Sequence, residues 1–148
     1  MPRLSFADKE LTELFRNLKH YESQLLDAGA EGLKNYGDGI MFQSLQQVPI
    51  DTMALHDSAF SGIPERVRVS ETTVRIGYGG DYTKWNPKSE QPSSDYMVQV
   101  HEDLQMSHLT GKAKFLEDPV MEASPRLGVA LVKHIQGKNI RLRVRGVR

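Results

Sequence analysis

The chain has 148 residues, the usual length of one globular domain. It holds 19 basic and 19 acidic side chains, so it lacks the basic excess expected of a general nucleic-acid coat. Because cysteine is absent, thiolate catalysis, cysteine-based metal sites and disulfide scaffolds are excluded. No apolar run reaches the roughly 18 residues of a transmembrane helix, and the opening Met-Pro-Arg-Leu-Ser-Phe lacks the apolar core of a signal peptide. We expect a single domain over residues 1–148 that does not enter a membrane.

The first third of the chain predicts two helices. Residues 8–26 carry apolar side chains at spacings of three and four, with charged residues opposite, as in an amphipathic helix. Gly29 and Gly32 follow, and a second helical pattern then runs to Val48. Pro49 should end that second helix, because a proline pushes the residue before it out of the helical conformation.

The middle of the chain predicts a small antiparallel sheet. Residues 66–69 and 73–78 alternate apolar and polar side chains around Ser70-Glu71, which indicates a hairpin with one buried face. Residues 96–101 resemble a third strand. A long polar loop, residues 79–95, separates the third strand from the hairpin, and a connection of that length in a compact domain is usually functional or disordered.

The last third predicts one long helix and one further strand. Asp118 and Pro119 suit the cap and the first helical position, Pro125 should kink or restart the helix, and Gly137 is a candidate cap at its end. Residues 139–147 then alternate apolar side chains with arginines. The expected fold class is α+β, with two N-terminal helices, a small antiparallel sheet, a long C-terminal helix packed on the sheet and an extra C-terminal strand.

Motifs for catalysis are weak in this sequence. His101, Glu102 and His108 are the one cluster that suggests a metal, but the zinc-protease pattern needs two histidines four residues apart on one helix. Hydrogen-bonded histidines at a strand end explain the same residues. There is no Gly-x-Ser-x-Gly elbow, and Gly77-Tyr78-Gly79-Gly80 is too short for a phosphate loop. We therefore expect no enzymatic activity and no cofactor.

Charge is unevenly distributed along the chain. Residues 138–148 contain five basic side chains and no acid, so the preceding residues hold 14 basic and 19 acidic ones. One interpretation is that Arg141, Arg143 and Arg145 form a basic face that meets phosphates or an acidic protein. The other is a solvated edge strand whose charges discourage aggregation.

Two aromatic residues, Tyr82 and Trp85, lie in the long polar loop. Aromatic side chains dominate the binding energy of protein interfaces, which favours an interface anchor. The alternative is that the indole folds back onto the domain.

Five segments, taken in order, carry a resemblance to a known family. They are Val48 to Ser58, Thr73 to Gly79, Tyr96 to Glu102, His108, and Lys112 to Glu117. Together they resemble the tail-completion, or head-to-tail joining, proteins of long-tailed bacteriophages, which are also described as minor capsid or minor tail proteins. That family shows Pro-Val-Asp-Thr-Gly-x-Leu, then Tyr-x-x-x-Val-His-Glu, then Lys-Phe-Leu. The resemblance covers roughly residues 5–136.

This sequence departs from the family pattern in three places. Met53 stands where the family commonly has glycine, residues 79–95 resemble an insertion, and the arginine-bearing segment after Gly137 resembles an extension. The shared motifs have architectural explanations. Pro49 stops a helix, Asp51 or Thr52 can bond the backbone of the following turn, His101-Glu102 marks the end of a strand, and Phe115-Leu116 attaches the last helix to the core.

The resemblance implies a structural virion protein whose copies form a ring, expected to be a hexamer, in the phage neck. Its partners would be other copies of itself, the head connector or stopper protein, and the tail tube or tail terminator. DNA would pass through the ring without sequence-specific binding, and assembly would take place in the cytoplasm of the host bacterium. Tyr82 and Trp85 would contact a neighbouring ring, while Arg141, Arg143 and Arg145 would meet an adjacent subunit. A tail terminator, a nucleic-acid-binding module and a small metal-dependent hydrolase remain the alternatives.

Overall fold

The computed structural model describes residues 8–51, 53–68, 71–105 and 108–141. These ranges form the mixed helix-and-sheet fold that the sequence predicts. The helices are α1 (Asp8–Leu45), α2 (Ser93–Glu102), α3 (Glu117–Ala123) and α4 (Leu127–Gly137). The strands are β1 (Ala59–Ser61), β2 (Glu65–Arg68), β3 (Glu71–Thr73), β4 (Ile76–Tyr78), β5 (Trp85–Asn86) and β6 (Gln91–Pro92).

The prediction of two N-terminal helices is wrong, because α1 is one continuous helix of 38 residues. None of its glycines breaks it, and two of them, Gly32 and Gly37, are sites of close packing. A β-carbon at Gly32 would lie 3.1 Å from side-chain atoms of both His134 and Leu131, and one at Gly37 would lie 3.2 Å from Ile76. Gly32 and Gly37 thus cost some helix propensity but let neighbouring elements approach α1 closely.

The C-terminal helix is interrupted, and its packing differs from the prediction. A short 3-10 turn, Ser124–Arg126, separates α3 from α4, in agreement with the kink expected at Pro125. Both helices pack against α1, whereas packing on the sheet was expected. The Tyr36 hydroxyl donates to the Ala123 carbonyl oxygen at 2.6 Å, and Gly29 faces Ile135, so α4 runs antiparallel to α1.

The predicted caps of the C-terminal helix are also displaced. Helix α3 begins at Glu117 without a side-chain cap, so Asp118 is already helical. Gly137 is the last residue of α4, and the left-handed backbone conformation that ends many helices falls on Asn139, with φ of 50°. Residues 139–141 form no strand, and the rest of the predicted C-terminal strand, including Arg143 and Arg145, lies outside the described residues.

The described strands form three separate two-stranded antiparallel sheets. Strands β2 and β3 make the predicted hairpin, although Val69 and Ser70 lie outside the described residues. Pairing stops at Thr73, and β4 pairs with β1 instead, with Ala59 opposite Tyr78. The expected buried face is absent from β2, where all four residues are exposed.

The predicted third strand is helix α2. Tyr96, Met97 and Val100 turn toward the core, while Val98 is 62% exposed. Spacings of one, three and four fit a helix, whereas alternation would have placed Val98 beside Tyr96 and Val100. The segment before α2 also has structure: it contains a 3-10 turn, Gly80–Tyr82, followed by the β5–β6 hairpin.

The core joins α1, β4 and the segment before α3. It contains Met41, Val48, Leu55, Tyr78 and Phe115. Phe115 is 2% exposed and meets the Tyr78 ring edge-on at 5.1 Å, and Leu116 packs against the same cluster. Phe115 and Leu116 therefore attach the start of α3 to the core, as the sequence predicts.

Candidate functional site

Four charged or polar side chains meet where α2 ends and α3 begins. His101 Nδ1 lies 2.7 Å from a Glu102 carboxylate oxygen, and the Glu117 backbone N–H donates to His101 Nε2 at 3.3 Å. With Nε2 as the acceptor, Nδ1 is the ring nitrogen that donates to Glu102. The ring also lies edge-on to Phe115 at 4.9 Å. His101 thus joins α2 to the start of α3.

Lys114 completes this cluster. Its ammonium group bonds Glu102 and lies 2.7 Å from a Glu117 carboxylate oxygen, while its backbone N–H donates to the His101 carbonyl oxygen at 2.8 Å. The hydrogen bond from Lys114 holds the pKa of Glu102 below its usual value of 4.5. The same bond, with a second to Glu117, raises the pKa of Lys114 above 10.5.

The cluster also has the composition of a metal site. Ligand atoms of His101, Glu102 and Glu117 lie within 4.8 Å of one another. A cation there would have to displace the Lys114 ammonium group from both carboxylates and break a hydrogen bond at one of the imidazole nitrogens. The arrangement therefore favours a charge-paired joint between helices over a metal centre. The sequence analysis names His101 and Glu102 together, at the end of a strand that is in fact helix α2, and it gives no role in this cluster to Lys114 or Glu117.

His108 is not a member of this cluster. It lines a cleft of about 410 Å³ together with Pro49, Tyr96 and Val100. Its Nε2 atom is buried and has no hydrogen-bond partner among the described residues. His108 is thus not among the possible ligands that the sequence grouped with it, although it lines a second cleft together with Lys114.

The segment after α1 is fixed by hydrogen bonds other than the ones that the sequence predicts. The Thr110 hydroxyl accepts from the Ile50 backbone N–H at 3.1 Å and donates to the Ile50 carbonyl oxygen at 3.3 Å. Asp51 bonds no turn backbone among the described residues, and its carboxylate accepts from Lys88 Nζ at 2.5 Å on the surface. Thr52 lies outside the described residues. Helix α1 ends at Leu45, before Pro49, in agreement with the predicted stop.

Tyr82 and Trp85 lie on the surface. The Tyr82 ring stacks on Phe60 with centroids 5.2 Å apart and 16° between the planes, and it remains 52% exposed. Trp85, in β5, is 62% exposed, so its indole does not fold back into the domain. The next residue, Asn86, is buried and accepts backbone N–H bonds from Lys88 and Ser89, which makes the hairpin that carries Trp85 a defined structure.

The surface holds further apolar side chains that the sequence assigned to a buried stripe. Leu11, Phe15 and Leu18 of α1 are 40%, 57% and 40% exposed. A helical period identifies an apolar face but does not say what covers it, so sequence alone had no signal for this exposure. Of the predicted arginine row, Arg141 is described; it is exposed and makes no ion pair with a described residue.

None of the described helices has both the length and the apolar character that crossing a bilayer requires. Comparisons with models of known families, with curated proteins and with solved structures found no match to this chain.

Proposed function

We propose that the chain is a structural protein of the bacteriophage neck. Its copies would form a ring, expected to be hexameric, that joins the head connector or stopper to the tail tube or its terminator. The ring would leave a channel through which DNA passes without sequence-specific binding, and it would assemble in the bacterial cytoplasm. The proposal rests on the resemblance of the ordered motifs, and two features of the structure support it.

The first supporting feature is the backbone at Met53. Its φ of 66° is left-handed, a conformation that glycine adopts freely and that costs other residues roughly 1–2 kcal/mol. The resembled family commonly has glycine at this position. A glycine-type backbone under a methionine supports the alignment of Pro49 to Leu55 with the family's Pro-Val-Asp-Thr-Gly-x-Leu motif, and this is the observation on which the proposal depends most.

The second supporting feature is the display of Trp85 and Tyr82. A large exposed indole on a small hairpin has no evident use in an isolated domain, whereas tryptophan and tyrosine are enriched among the residues that dominate interfaces. The Tyr82–Phe60 stack and the buried Asn86 hold this surface in shape before any partner arrives, which lowers the entropy cost of docking. We propose that it contacts a neighbouring ring.

In vitro complementation tests the proposal. A phage unable to make this chain should release separate filled heads and tails, and adding the purified protein should restore joined, infectious particles. With Trp85→Ala, the number of joined particles should be at least about tenfold lower than with the unchanged protein. The reason is that losing an interface anchor typically costs more than about 1 kcal/mol of binding free energy. Trp85→Tyr, which keeps an aromatic ring, is the matched control and should stay close to the unchanged protein.

Each outcome has a distinct meaning. Normal joining without the chain would contradict the proposed function. Full restoration by Trp85→Ala would contradict only the contact through the hairpin. Tails of uncontrolled length would instead indicate a tail terminator, which faces the same joint from the tail side.

A further inference from the structure

A cleft of about 310 Å³ opens between α2 and the β1–β4 sheet. Its lining is mostly apolar and includes Phe60 and Gly77 of the sheet and Met97 and Val98 of α2. Val98 is 62% exposed, and the Tyr82 ring, which stacks on Phe60, extends the apolar surface beyond the cleft. Pockets of this kind receive the anchor side chains that dominate the binding energy of protein interfaces.

The walls of the cleft are fixed by packing and by backbone hydrogen bonds. A β-carbon at Gly77 would lie 3.3 Å from the Phe60 ring, so the ring rests directly on the strand. The Ser93 backbone N–H donates to the Lys84 carbonyl oxygen at 2.7 Å, which attaches the hairpin of Trp85 to the first turn of α2. A surface that is already ordered loses little conformational entropy when a partner binds.

Acidic side chains border the cleft. Asp95 and Glu102 lie three residues before and four residues after Val98, so all three share one face of α2. Asp81 comes directly before the stacked tyrosine. Asp81 and Asp95 are exposed and pair with no base among the described residues, whereas Glu102 is paired with Lys114.

Few bases offset these acids. Residues 79–103 contain five acidic side chains and two lysines. Lys88 pairs with Asp51 beside the other cleft, and Lys84 is the one lysine of this range without an acid partner among the described residues. The strands on the sheet side, Ala59–Ser61 and Ile76–Tyr78, carry no charged side chain. The surface is therefore acidic, and it repels the phosphates of DNA.

The acidic cleft, as we name this surface, consists of Phe60, Asp81, Tyr82, Asp95, Met97 and Val98. We propose that a protein of the adjoining ring places an aliphatic side chain in the acidic cleft and sets lysine or arginine side chains against its two unpaired aspartates. An arginine also suits the exposed Tyr82 ring, through a cation–π contact. The partner is thus a basic protein surface with an aliphatic anchor. This inference rests on the proposed role in the phage neck and gives the chemistry of the partner there.

Head-to-tail joining in vitro tests the role of the two aspartates. Asp81→Asn combined with Asp95→Asn removes two negative charges and keeps the shape of the side chains. The matched control, Glu13→Gln with Glu22→Gln, removes two charges from exposed acids of α1 that also have no ion pair with a described residue. At about 0.1 M salt the aspartate variant should join heads to tails about tenfold more slowly than the unchanged chain, and the control should keep the normal rate.

Raising the salt to about 1 M shortens the Debye length from about 10 Å to about 3 Å, so the rates of all three proteins should converge. An aspartate variant that joins as fast as the unchanged chain at low salt, or faster, would overturn the basic partner. A control that slows equally would overturn it too. An unchanged chain that fails to join at any salt would contradict the proposed function and this inference with it.

Two valines of nearly equal exposure test the apolar part of the acidic cleft. Val98 is 62% exposed and Val129, in α4, is 61% exposed. Val98→Lys places a polar, positive side chain where a basic partner should bind, so joining should be about tenfold slower or more. Val129→Lys should join normally, and thermal unfolding should show that both variants are folded. Normal joining by Val98→Lys, or an equal loss in both variants, would overturn the docking in the cleft.

Discussion

The hydroxyl groups of Ser44 and Tyr78 form a 2.8 Å hydrogen bond inside the core, which joins α1 to β4. Ser44 is fully buried, and Tyr78 is 8% exposed. Burial raises the pKa of the Tyr78 phenol above 10.0, although the hydrogen bond with Ser44 acts in the opposite direction. The long helix is thus attached to the small β1–β4 sheet by a polar contact in an otherwise apolar cluster.

Removing the Tyr78 hydroxyl should destabilise the fold. Tyr78→Phe leaves the Ser44 hydroxyl buried without this partner, which should lower the free energy of unfolding by about 1–3 kcal/mol. Denaturant unfolding measures the change. Tyr82→Phe is the control, because the Tyr82 side chain is half exposed and its hydroxyl can bond water. An equal loss of unfolding free energy in both variants would contradict the stabilising role of the Ser44–Tyr78 hydrogen bond.

The same residue should make stability depend on alkaline pH. The unfolded chain loses the phenol proton near the ordinary pKa of 10.0, while the folded chain holds it to a higher pH. Above about pH 10 the unfolded state therefore binds fewer protons, and the free energy of unfolding falls as the pH rises. Tyr78→Phe should show a shallower decline between about pH 9 and about pH 10.5, and identical slopes would contradict the raised pKa.

Met53→Gly should stabilise the protein. Glycine relieves the left-handed strain of roughly 1–2 kcal/mol but loses more backbone entropy on folding, so we expect a net gain of about 0.5–1 kcal/mol. The control is Met121→Gly in α3, also exposed, where glycine in a helix should cost about 1 kcal/mol. In thermal unfolding, a gain of stability in Met53→Gly with a loss in Met121→Gly would support the left-handed backbone at Met53. A loss of stability in both variants would argue against it.

The glycines of α1 should respond differently to alanine. A β-carbon at Gly39 meets no heavy atom within 4 Å, so Gly39→Ala should raise the free energy of unfolding by about 0.8–1 kcal/mol through helix propensity. Gly32→Ala should gain less than Gly39→Ala, because its β-carbon would lie 3.1 Å from the side chains of α4, which must shift to make room. Equal gains at both positions would show that α4 does not pack closely on Gly32.

Lys114 should control the acid titration of Glu102. Carboxyl NMR should show the pKa of Glu102 below 4.5, and Lys114→Met should raise it, because the main hydrogen bond to the carboxylate is lost. The bond contributes stability that disappears as the pH falls through the lowered pKa. Lys112→Met, which removes the neighbouring pair with Asp118, is the control and should leave Glu102 unchanged.

Local patterns predicted parts of the fold and misassigned others. The apolar spacing of α1 is clear, but its glycines suggest a break because the cost of glycine in a helix is local. The benefit of Gly32 depends on Leu131 and His134, which lie 99 and 102 residues further along the chain. Residues 96–101 were assigned to a strand because Tyr96, Val98 and Val100 alternate. The competing helical spacing of Ser93, Tyr96, Met97 and Val100 was also present in the sequence and describes the burial correctly.

The candidate site was likewise predictable from the sequence only in part. The adjacency of His101 and Glu102 could be read from the chain, since neighbouring residues stay neighbours in any fold. Lys114 and Glu117 reach this cluster after the left-handed backbone turn at Lys114, with φ of 58°. No local sequence motif predicts that turn. The exposure of Trp85 depends on how the hairpin sits on the domain, so the sequence could offer only two alternatives. The structure removes the one in which the indole folds back onto the domain.

Imaging of the virion neck tests the central claim most directly. Particles in which this chain carries a small C-terminal tag would be examined by cryo-electron microscopy at the junction of head and tail. The account predicts a ring of tagged copies, expected to number six, between the head connector and the tail tube, with the Trp85 hairpin against an adjoining ring. Finished virions that lack the chain, or carry it away from this junction, would contradict it.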